Sequence, residues 1–77
     1  MEIQIDPHTL ERAEERGTSE QEIRDVINRG ISIPAKYGRI GKSKIYDFNQ
    51  LRHGRYYDQK KVEVVTVTVY VFYGKWE

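Results

Sequence analysis

The chain has 77 residues, with 13 Lys and Arg against 12 Asp and Glu for a net charge of +1, and it contains no cysteine. That is room for one small domain, and the missing thiols exclude disulfide staples and cysteine-ligated zinc. No run approaches the roughly 18 apolar residues of a membrane span, and the first residues lack the basic and apolar stretches of a signal peptide. A soluble, cytoplasmic protein with no membrane contact, metal or cofactor is therefore expected.

The small net charge hides an asymmetry. Residues 1–30 hold four arginines against eight acidic residues, whereas residues 31–61 hold eight Lys and Arg against Asp47 and Asp58. Within the acidic third, Asp6 is a good N-cap, Pro7 suits the first helical position and Gly17 suits a left-handed helix end, so a first helix is expected over about 7–16. Thr18 and Ser19 each stand three residues before Gln21 or Glu22, and either starts a capping box for a second helix over about 19–29, closed by Gly30. Ile23, Val26 and Ile27 form its apolar stripe.

After Gly30 the pattern becomes that of strands, expected over about 31–33, 44–48, 55–57 and 62–73, with turns at Gly38, Gly41 and Gly54. Val65, Val67, Val69 and Val71 alternate with Thr and aromatic residues, while Val62 and Val64 are on the opposite phase. A bulge or bend near Val64-Val65 would restore the pattern. Arg55 to Tyr73 contains no Gly, Pro or Asn. Fully extended it would span roughly 60 Å, so a turn is expected within Asp58-Gln59-Lys60-Lys61.

His8, Arg12 and Arg16 are spaced four apart and share one helix face. An imidazole moves protons near neutral pH and guanidiniums clamp phosphate, which together suit metal-free RNA cleavage. The structural alternative is a solvated face on which the arginines pair with Glu11, Glu15 or Glu20. A second surface is the middle third, where Lys42, Lys44, Tyr46 and Arg55 mix cations with rings as RNA-tracking grooves do. Gly41-Lys42-Ser43 is no P-loop, because its first glycine is Lys36 and a strand follows.

The opening His8-Thr9-Leu10-Glu11-Arg12-Ala13-Glu14-Glu15-Arg16-Gly17-Thr18-Ser19, followed by Glu22-Ile23, resembles that of the domain of unknown function 4258 family, whose closing T-V-Y strand would be Thr68-Val69-Tyr70. That family is similar to the RelE/ParE and barnase-like group of small toxin ribonucleases. The resemblance implies His8 and Arg12 as an active-site pair, Arg16 as a helper, and Thr68 and Tyr70 as sheet positions facing them. It also implies RNA and an antitoxin-like protein as partners. Family members usually show two strands with a turn before the T-V-Y ending, whereas here Val62-Glu63-Val64 runs directly into Val65. This puts the register of the last strand in question and leaves open a homodimer through a long C-terminal strand.

The fold expected is α+β, an N-terminal αα-hairpin packed on an antiparallel sheet of three or four strands, as in RelE/ParE toxins. The function expected is a metal-independent ribonuclease using His8, Arg12, Arg16 and Tyr70, with Lys42, Lys44, Tyr46, Arg55 and Thr68 contacting substrate. The alternative is a non-catalytic RNA- or protein-binding module using a basic-aromatic sheet face.

Overall fold

The structure is a computed structural model that describes residues 5–65 and 68–76, the side chain of Lys36 excepted. Helices α1 (Pro7–Arg16) and α2 (Glu20–Arg29) precede strands β1 (Ile31–Pro34), β2 (Ile40–Arg52), β3 (Arg55–Val65) and β4 (Thr68–Gly74). The strands form one antiparallel sheet in chain order, which gives the α+β architecture expected from the sequence.

Local chemistry sets the helix boundaries. The His8 amide donates to Asp6 Oδ1 at 2.8 Å, and Pro7 opens the helix where no amide partner is needed. Ser19 is the cap of α2, its Oγ accepting from the Glu22 amide, while the Thr18 hydroxyl donates to the Glu22 carboxylate at 3.0 Å. Between the helices, Gly17 is left-handed at φ 102°, and the amides of Gly17 and Thr18 return to the carbonyls of Glu14 and Ala13.

The strands differ from expectation in three places, the first being Gly41, which marks no turn but lies inside β2 opposite Ile33. No turn occurs at residues 58–61, where β3 runs straight through. The chain reverses earlier, at His53 and Gly54, which both have positive φ as a two-residue hairpin turn with the right twist requires. The expected 62–73 strand is two strands, and residues 66 and 67 within it lie outside the described residues. Antiparallel pairing explains the reversed valine phase. Val62 lies opposite Val71 and Val64 opposite Val69, so even positions of β3 and odd positions of β4 share one face. The length problem is resolved as well, since eleven residues of β3 span about 36 Å and the longest dimension of the molecule is 36 Å.

Both helices pack on that face. Ala13, Ile23, Val26, Val62, Val64 and Val69 are buried, with Ile5, Leu10, Ile27, Tyr46 and Val71 around them. One bulge interrupts the β2–β3 register between Asp47 and Gln50, where Asn49 takes φ 49°.

Two glycines test this geometry. A methyl at Gly17 would lie 2.0 Å from Tyr73 Oη, whereas one at Gly54 would meet nothing within 4 Å. Both residues have positive φ. Urea unfolding of Gly17→Ala should show a loss of about 2–4 kcal/mol against about 1–2 kcal/mol for Gly54→Ala, the difference being the displaced tyrosine. Equal losses would contradict the packing described.

Candidate functional site

The face of α1 that carries His8, Arg12 and Arg16 looks onto the rim of β4. Together with Thr9, Thr68 and Val69 these residues line an open cleft of about 200 Å³. Helical spacing sets the three side chains about 6 Å apart along the axis. Arg16 donates through Nη1 to the carbonyl of Val69, which ties α1 to the edge strand and, among the described residues, leaves the rest of its donor fork without a partner. Among the described residues the side chains of His8 and Arg12 make no hydrogen bond or ion pair. No carboxylate is among the described residues that line the cleft. Two guanidiniums and an imidazole around one hollow have the donors and charge that a phosphate-sized anion requires.

Of the nine residues expected at the site, four meet here: His8, Arg12, Arg16 and Thr68. Tyr70 stands elsewhere on β4, half-exposed and beside Phe72. The expected basic-aromatic surface is divided. Lys44 and Tyr46 face α2, where Lys44 Nζ pairs with Asp25 Oδ2 and the Tyr46 hydroxyl donates to the same oxygen at 2.7 Å. Lys42 donates to Ser32 Oγ at 2.9 Å, and Arg55 is exposed beside the β2–β3 turn. A larger hollow beside α2 includes Glu22, Asp25, Arg29 and Tyr46, but both carboxylates already have lysine partners.

Sequence reasoning missed Thr9 and Val69 as lining residues. Thr9 is off the four-residue spacing but adjacent to it on the helix surface. Val69 is readable only as an apolar strand residue, and its contribution to Arg16 is a backbone carbonyl. Among the described residues no group of three or more His, Cys, Asp or Glu side chains is placed to hold a metal ion. No described helix is long and apolar enough to cross a membrane. No family model, curated protein or solved structure matches the chain.

The Asp25 cluster has a pH signature. The hydrogen bonds from Lys44 and then Tyr46 hold the Asp25 carboxyl below its usual range, and burial, reinforced by Asp25, pushes the Tyr46 phenol up. Burial also raises the Tyr73 phenol. A depressed carboxyl stabilises the fold above its unfolded value near pH 4 and loses that contribution as pH falls through the folded value. Raised phenols stabilise below pH 10 and lose that contribution as pH rises beyond it. Circular dichroism across pH should show an acid limb that Asp25→Asn flattens and an alkaline limb that Tyr46→Phe moves to higher pH. Limbs unchanged in both variants would show that the cluster does not couple to folding.

Proposed function

We propose that the chain is a small metal-independent ribonuclease of toxin type, and that its active site is the cleft between α1 and β4. The observation that carries this reading is the meeting of His8, Arg12, Arg16 and Thr68 in one hollow. The resemblance of the opening motif to a family grouped with small toxin ribonucleases points the same way. Cleavage proceeds by attack of the ribose 2′-oxygen on the adjacent phosphorus, with loss of the 5′-oxygen and formation of a 2′,3′-cyclic phosphate. His8 takes the 2′-hydroxyl proton. Arg12 and the free donors of Arg16 stabilise the extra negative charge on the phosphorane. The cleft is open, so the leaving oxygen draws its proton from water, and a slow enzyme is expected. RNA and an antitoxin-like protein are the partners that follow.

A non-catalytic module built on Lys42, Lys44, Tyr46 and Arg55 has less support, because Lys44 and Tyr46 are engaged beneath α2. The strand expected over 62–73, on which a homodimer was to pair, is divided between β3 and the seven-residue β4.

Incubating RNA with the protein in EDTA should give fragments ending in 2′,3′-cyclic phosphate. His8→Ala should lower the rate by at least about 10²-fold with an unchanged thermal midpoint, since the side chain is exposed and unbonded. Arg16→Ala should lower both rate and midpoint, because Arg16 also ties α1 to β4. Intact RNA with the wild type, or equal cleavage by His8→Ala, would overturn the proposal.

A further inference from the structure

Among the described residues no helix covers the sheet face turned away from α1 and α2, and its two halves differ. On the β1 side it presents Ile31 and Ile45. On the β4 side Tyr70 and Phe72 are 43% and 46% exposed, with ring centroids 6.4 Å apart and planes 18° from parallel. Lys61, opposite Phe72 on β3, lies 4.9 Å from the Trp76 ring. The Trp76 amide in turn donates to Gln59 Oε1 at 2.6 Å. Alternation along β4 puts Thr68, Tyr70 and Phe72 on one side of the strand, and Thr68 also lines the His8 cleft. The strand is thus a rim shared by the cleft and a row of rings. Thr68 to Phe72 covers about 13 Å, the length of roughly two to four nucleotides of single strand at 3.4 Å or somewhat more each.

We infer that the outer face of β4 binds single-stranded RNA, stacking successive bases on Tyr70 and Phe72 beside the phosphate held at the cleft. The direction of this track rests on the ribonuclease reading of the cleft, but its measurement does not. Glu63, opposite Tyr70, is matched by Lys61 with 3.9 Å between their charged atoms. The row is therefore close to neutral, and the attraction comes from stacking, which is tolerant of base identity. Its continuity with the Arg12–Arg16 cleft favours a nucleic acid here. A second copy of the chain, packed over Ile31 and Phe72, is the competing occupant.

The test is fluorescence anisotropy of a labelled eight-nucleotide RNA with the His8→Ala protein as parent, so that cleavage does not interfere. Adding Tyr70→Ala or Phe72→Ala should each weaken binding roughly tenfold, whereas Tyr70→Phe and Ile31→Ser should leave it unchanged. Thermal melts confirm that each variant is folded, and Tyr70→Phe separates loss of the ring from loss of the fold. Undiminished binding by both alanine variants would overturn the inference. So would a sedimenting dimer that Phe72→Ala dissolves while RNA binding persists, which would assign the face to a second copy. Aromatic-dependent binding without any cleavage by the wild type would support the track and remove only the ribonuclease reading.

Discussion

The position of α1 depends on how the carbonyls at its C-terminal end are satisfied. A helix leaves its last carbonyls without partners and concentrates partial negative charge there. In this chain the carbonyls of Ala13 and Glu14 accept from the Thr18 and Gly17 amides. The next three accept from the sheet. Arg52 Nη2 on β2 donates to Glu15 at 3.1 Å, the Tyr73 hydroxyl on β4 to Arg16 at 2.7 Å, and Lys60 Nζ on β3 to Gly17 at 3.0 Å. Three adjacent strands each contribute one donor, two of them charged, so the end of α1 is fixed relative to most of the sheet. Arg16 begins the His8 face at that fixed end and bonds the rim of β4, which is why the cleft lies where it does.

Such anchoring matters because so few residues build the core. Among the described residues six apolar side chains are buried, and a domain of this size has little hydrophobic stabilisation to spare. Polar clamps complete the packing. Lys60, only 8% exposed, also donates to Glu22 Oε1 at 2.7 Å and lies against the Tyr46 and Phe48 rings. Lys44, Asp25 and Tyr46 do the same further along α2. Buried ion pairs add little net stability, but each penalises any placement of α2 that separates its partners. Lys44 and Tyr46, which looked available for substrate, are thereby committed to holding α2. On α1, by contrast, the side chains of Arg12 and His8 make no hydrogen bond or ion pair among the described residues.

The helices were legible because their ends carry short-range signals, namely Asp6-Pro7, Gly17, Ser19 and Gly30, which act through neighbouring backbone groups. The His8 face was legible for the same reason, since spacing along one helix fixes which side chains are neighbours. The β3–β4 hairpin was less so, because no Gly, Pro or Asn marks it and only the reversed valine phase betrayed a change of strand. The roles of Lys44, Tyr46 and Lys60 were hidden by a different cause. A lysine in a strand reads as solvated, and what draws it inward is a carboxylate on a helix far away in sequence, Asp25 or Glu22. Lys60 shares the even parity of Val62 and Val64, and that was the one available signal that it faces the helices.

On the proposed function, the α1–β4 cleft is where a phosphodiester binds. Its most direct test is a ¹⁵N NMR titration of the protein with a short single-stranded RNA bearing 2′-deoxyribose at the cleavable positions. The largest shifts are expected on the amides of Thr9, Arg12, Thr68 and Val69 and on the His8 imidazole. Shifts confined to the β2–β3 hairpin around Arg55, or to the hollow beside α2, would contradict it.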